Sequence, residues 1–156
     1  MTLATTLKNF SAAVEAGEGG ALADLFTSDG VYDDYFFGPS KPGRQGIIDI
    51  LSHFYEGGED FRWDFFDVVE TGPLGYASYC FSYRSKDPAA DGKRVVFEGM
   101  GRFQLRDGLI ARYSEVFDRG MALAQQDYDA ERLKRICRRY ADRVKAKPEA
   151  ARHTVA

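Results

Sequence analysis

The feature that most constrains this chain is a change of hydrophobic period near residue 60. Before it, apolar residues recur three and four positions apart: Leu3, Leu7, Phe10 and Val14, then Leu22, Leu25 and Phe26, then Ile47, Ile50, Leu51 and Phe54. That spacing predicts helices with one apolar face. After it, bulky residues alternate with polar ones in four runs, Phe61 to Glu70, Gly75 to Arg84, Arg94 to Leu105 and Leu109 to Asp118. Such alternation predicts strands with one buried face, and Thr71-Gly72-Pro73, Asp87 to Gly92 and Arg106-Asp107-Gly108 supply the turns between them. Helices first and a meander after them is an α+β order. The economical packing lays the helices on the concave face of one curved antiparallel sheet.

The punctuation refines this outline. Gly17-Glu18-Gly19-Gly20 divides the first helical stretch in two, and Ser28-Asp29-Gly30 reads as a turn. The β-branched and aromatic run Val31 to Phe37 reads as a strand ended by Gly38-Pro39. A further helix is expected from Arg44 to Tyr55, closed by Gly57-Gly58. A last one is expected from Asp129 to Lys147, before Pro148, with a frayed tail to Ala156.

Length and composition set the outer bounds. At 156 residues and 44% hydrophobic, the chain is one globular domain with enough core to enclose a cavity. We divide it into a body at 1–126, a basic helix at 127–147 and a tail at 148–156. A net charge of −3 disfavours nucleic-acid binding by the body. Cys80 and Cys137 are too few for a disulfide framework or a cysteine zinc site. The absence of an export leader or a long apolar run predicts a cytoplasmic protein without membrane contact.

Parity along the strands then locates a cavity. Val95, Phe97, Gly99, Gly101 and Phe103 share one face of the third run, and Tyr79, Phe81 and Tyr83 share one face of the second. These are the inner faces, and Gly99 and Gly101 either bend the strand or leave a void for large side chains. In the fourth run Glu115 lies with Leu109, Ala111, Tyr113 and Phe117, the single charge on an apolar side. Asp34 shares a face with Tyr32 and Phe36.

The stretch Ala21 to Asp29, the strand Tyr32-Asp33-Asp34 and the hairpin around Arg102-Phe103-Gln104-Leu105-Arg106-Asp107-Gly108-Leu109-Ile110 resemble the SnoaL-like branch of the NTF2-like superfamily. That group includes polyketide cyclases, ketosteroid isomerases and limonene-epoxide hydrolases, and the likeness spans roughly residues 5 to 125. It implies a cone-shaped sheet around a pocket. Asp34 falls where the isomerases carry their proton-shuttling carboxylate, but Phe10 and Gly99-Met100-Gly101 stand where their oxyanion-hole tyrosine and acid belong. Tyr32 and Asp34 fall near the water-positioning tyrosine and asparagine of the epoxide hydrolases, and Glu115 near one of their aspartates. Tyr79 and Phe81 occupy the places of their arginine and its partner aspartate.

Asp34, Glu115 and Tyr32 are therefore the candidate catalytic residues. A carboxylate among aromatic rings has its pKa raised by desolvation, which suits it to move protons near neutrality. The alternative for Asp34 is a solvated or backbone-bonded acid at a strand edge. For Glu115 it is a structural bond to Arg102 or Arg112, or a pair at a dimer interface. Phenols at Tyr32, Tyr79, Tyr83 and Tyr113 could donate to a developing oxyanion, or serve only as large core residues. Trp63, Phe65, Phe36, Phe81 and Phe97 are expected as apolar substrate walls, and His53 as an acid or base at the pocket mouth or else a surface or capping histidine. No histidine pair, phosphate loop or nucleophile elbow is present, so neither metal nor cofactor is expected.

The expected function is cofactor-independent acid–base chemistry on a hydrophobic small molecule: isomerisation, cyclisation, dehydration or epoxide opening. The alternative is a non-catalytic binding or dimerisation module. The last helix carries a charge of +6 between Glu131 and Lys147, with an apolar stripe of Leu133, Ile136, Cys137, Tyr140 and Val144. It is expected to dock on the body or on a homodimer partner, with nucleic acid or an acidic partner surface as the lesser alternative.

Overall fold

The computed structural model describes residues 2–154. The first helical stretch forms α1 (Leu3–Ala16) and α2 (Gly19–Ala23), and α3 spans Arg44–Gly57. Thr2 caps α1 by accepting the Thr5 N–H, and Gly17 ends it in the left-handed region at φ 71°. The strands are β1 (Phe26–Asp34), the two-residue β2 (Gly38–Pro39), β3 (Gly58–Thr71), β4 (Leu74–Ser85), β5 (Arg94–Arg106) and β6 (Leu109–Phe117). They form one curved, unclosed sheet in the order β2-β1-β6-β5-β4-β3. Every pairing is antiparallel except β1 with β6, which is parallel. No described helix is long and apolar enough to cross a membrane.

The predicted parity holds through β4 and β5: Ala77, Tyr79, Phe81, Val95, Phe97 and Phe103 are all buried, packed with Leu7, Phe10 and Val14 of α1 and Ile47, Ile50 and Leu51 of α3. In β6 the expectation fails at one end. Ile110 is fully buried while Leu109 is exposed, because the β5–β6 register slips by one residue between Gln104 and Leu105. The extra residue, Ala111, makes a bulge that exchanges the faces before it and leaves Tyr113, Glu115 and Phe117 pointing inward.

Two further elements differ from the sequence expectation. Strand β1 begins at Phe26, and its pairing with β6 is irregular between Phe26 and Val31, so Ser28-Asp29-Gly30 is carried inside a strand rather than between elements. A short helix, α4 (Arg119–Ala124), follows β6, capped by the Asp118 carboxylate on the Met121 N–H. The final helix, α5, is Ala130–Lys145, followed by a 3-10 segment at Pro148–His153.

Candidate active site

The site is built where β1 ends. Asp34 is its last residue, and its Oδ1 accepts the N–H groups of both Phe36 and Phe37 at 2.7 Å. This draws the chain into a turn, so Phe36 and Phe37 leave the strand that their composition predicts. The preceding amide, Tyr35 N–H, reaches Glu115 Oε1 at 3.4 Å. Three successive amides are thus held by two carboxylates from different strands.

Glu115 is satisfied further from beneath. Its Oε2 accepts the phenols of Tyr79 and Tyr113, each at 2.7 Å. Neither Arg102 nor Arg112 bonds it: Arg112 pairs with Asp33 on the opposite face. The glycines of β5 make the phenol arrangement possible. A Cβ at Gly99 would lie 2.5 Å from the Tyr79 ring, and one at Gly101 3.0 Å from the rings of Phe103 and Tyr113. Of the two roles open to these glycines, the structure uses the void.

Both acids are buried, Asp34 at 4% exposure and Glu115 at 9%. Burial is the main force raising each above the ordinary carboxylate range. For Glu115 the two phenols and the Tyr35 amide oppose that rise, assisted by the Arg119 guanidinium. For Asp34 the neighbouring Glu115 charge adds to burial, outweighs the two turn amides, and pushes the group up to about 8. Of the pair, then, Glu115 is arranged to hold the negative charge and Asp34 to hold the proton. Burial and the Glu115 charge raise the Tyr79 and Tyr113 phenols, which therefore remain donors. Asp34 Oδ1 is committed to the turn, and Oδ2 has no hydrogen bond among the described residues.

Asp34 and Glu115 both border a cavity of ≈ 100 Å³, a volume for about one six-membered ring. Its other walls include six of the residues singled out from sequence, Phe36, His53, Trp63, Phe81, Tyr83 and Phe97. Sequence reasoning missed Phe37, Phe54, Gly57, Phe61 and Phe117. Phe54, Phe61 and Phe117 sit on faces already read as apolar and could have been found there. Phe37 and Gly57 arrive through a turn and a helix end, which carry no periodic signal. His53 stands at the rim, half exposed, with Nδ1 3.1 Å from Glu56 Oε2.

Four of the candidates do not reach the cavity. Tyr79 and Tyr113 lie beneath Glu115, as described, and Phe65 lines a shallow groove against α1. Tyr32 is fully buried, its ring 4.8 Å from that of Tyr113 and 5.8 Å from that of Phe10. The ring is drawn into the aromatic core under α1 instead of facing the cavity, and its hydroxyl has no hydrogen-bond partner. A buried unsatisfied hydroxyl costs about 1–3 kcal/mol. Tyr32→Phe should therefore raise stability, by about 1 kcal/mol in denaturant unfolding, and leave ligand affinity unchanged.

The segment after β6 braces the turn from outside. The Arg119 guanidinium lies 3.3 Å from the Tyr35 ring centre and 4.0 Å from that of Tyr140 on α5. Arg143 donates to the Phe36 carbonyl at 3.0 Å, and the Tyr140 and Phe36 rings are 6.3 Å apart. The α5 stripe docks on the body only in part. Leu133, Ile136, Cys137 and Tyr140 are half-buried, whereas Val144 is exposed.

The family model for the SnoaL-like domain matches residues 7–113. The chain belongs to the SnoaL-like family. Solved structures with this fold include a protein of ketosteroid isomerase-like fold from Catenulispora acidiphila, in complex with trimethylamine, at 19% identity and TM-score 0.72. It covers 81% of this chain and 95% of its own. IdmH from Streptomyces antibioticus, a candidate polyketide cyclase, is 19% identical with TM-score 0.67, covering 82% and 100%. An LEH-like epoxide hydrolase from M. tuberculosis is 16% identical with TM-score 0.63, covering 78% and 86%. Likeness at this level shows a shared fold. No curated protein matches the sequence. In this SnoaL-like chain Glu115 lies just past the matched residues and Asp34 within them, while α4 and α5 lie wholly beyond.

Proposed function

We propose that this SnoaL-like protein catalyses cofactor-independent proton transfer on a small, uncharged, hydrophobic molecule. The observation that carries the proposal is a buried Asp34 at the wall of an apolar cavity, its Oδ2 without a hydrogen bond among the described residues, beside a Glu115 that already accepts two phenols. At neutral pH Asp34 is mainly the acid and can donate its proton to a carbonyl or epoxide oxygen. Ionised, it is a stronger base than an ordinary carboxylate, able to take a proton from carbon next to a carbonyl and return it elsewhere. Glu115 supplies the fixed charge that keeps the Asp34 pKa high, and the aromatic walls exclude water. The activities named for two structural neighbours, polyketide cyclase for the candidate IdmH and epoxide hydrolase, fall in this class of chemistry.

The test needs no knowledge of the natural substrate. Small cyclic ketones, enones and epoxides are incubated in deuterated buffer, and exchange or turnover is followed by NMR across pH. Exchange above the buffer rate, with an inflection near the Asp34 pKa, is the expected result, and buffer-rate behaviour throughout the series would refute it. Glu115→Gln removes the charge that holds the Asp34 pKa up. Its inflection should move to lower pH by about one unit.

A further inference from the structure

A second chamber opens directly outside the first. It is an open groove of ≈ 470 Å³ between the end of α3, the end of β4 and the segment from α4 to Tyr128. Phe36, Phe37, Gly57 and Tyr83 border both chambers and so mark the neck, the place where the two adjoin. Part of the outer wall, Leu123, Gln126 and Tyr128, comes from beyond the family match.

The outer wall is mainly apolar, and most of its polar groups are engaged within the protein, with the exposed Glu56 paired to His53 at its edge. Lys86 donates to the Tyr55 carbonyl at 2.7 Å. Asp87 accepts from the Tyr128 phenol at 2.7 Å and from Arg132 at 3.1 Å. Gln126 accepts the Ser85 hydroxyl at 2.8 Å. An alkyl chain can lie along this wall without disturbing any of these bonds.

We infer that the ligand occupies both chambers: an uncharged, elongated molecule with a head no larger than about one ring at Asp34 and a mainly apolar tail through the neck. The inner volume matches a single-ring head. Gly57 is the specificity-determining position, because it borders both chambers and carries no side chain of its own. A Cβ at Gly57 meets nothing within 4 Å and its φ is not positive, so larger residues fit without displacing the backbone.

This inference rests on the proposed function for which end of the ligand lies at Asp34, but its test reads binding alone. The probes are 4-alkylcyclohexanones from methyl to octyl, which share a head and lengthen only the tail. Trp63, the single tryptophan, lines the inner chamber and reports binding by its fluorescence. Affinity for the unsubstituted protein should rise about fourfold per methylene until the outer chamber is filled. Longer tails also favour any apolar surface, and that contribution is common to wild type and variants. Gly57→Phe should therefore weaken the octyl compound at least tenfold more than 4-methylcyclohexanone, with Gly57→Ala between wild type and Gly57→Phe. Equal affinities along the series, or a length dependence that Gly57→Phe leaves intact, would overturn the inference. Length-dependent, Gly57-sensitive binding without any proton exchange would instead sustain it and refute the acid–base reading.

Discussion

Asp34→Asn should lower kcat for proton exchange by about 10²–10⁴-fold, the usual contribution of a positioned acid or base, while the protein remains folded. Asparagine keeps an acceptor oxygen for the Phe36 and Phe37 amides, so the turn that shapes the cavity survives. What disappears is the titration. In the folded protein Asp34 is raised to about 8, whereas in the unfolded chain it returns to about 3.9. The folded state therefore binds the extra proton across that window. Its stabilising contribution is complete below pH 4 and is lost as pH rises through 8, at up to about 1.4 kcal/mol per pH unit. Asp34→Asn should flatten this slope, gaining on wild type as the buffer is taken from pH 5 to 9. Chemical denaturation at several pH values checks the stability half, and NMR exchange the catalytic half. A variant that exchanges protons as fast as wild type removes Asp34 from the chemistry.

The second large effect concerns a residue with no polar atom in its side chain. A Cβ at Gly99 would fall 2.5 Å from Tyr79 Oη and 2.7 Å from the Val116 carbonyl oxygen. The first of these could swing away only by giving up Glu115, and the second belongs to the backbone of β6. Gly99→Ala is thus expected to cost about 2–3 kcal/mol of stability from overpacking. It should also detach the Tyr79 phenol from Glu115, leaving a buried carboxylate with one donor fewer. With less to oppose burial, the Glu115 pKa rises, the negative charge next to Asp34 is weakened, and the exchange profile moves to lower pH. Thermal unfolding together with the pH profile separates this from simple destabilisation, which would leave the inflection in place.

Much of the architecture was legible because it is local. The alternation of β4 and β5 and the spacing of α1 and α3 each follow from a backbone period acting on neighbouring residues. The inward direction of Glu115 and Asp34 was readable for the same reason, although the β6 bulge at Ala111 shows how one extra residue defeats parity a few positions away. The end of β1 was not readable. Val31 to Phe37 has strand composition throughout, and only the Asp34 carboxylate, by capturing two amides, turns Phe36 and Phe37 out of the sheet.

The composition and periods of this chain determined by themselves an α+β domain with aromatic inner faces and two acids aimed into it. Only the tertiary structure decided what those acids do to one another. Which phenols reach Glu115, which oxygen of Asp34 stays free and where Gly57 leaves a gap depend on register between segments distant in sequence. The strand period specifies which face a side chain occupies. Its partners follow from long-range pairing, which that period does not encode.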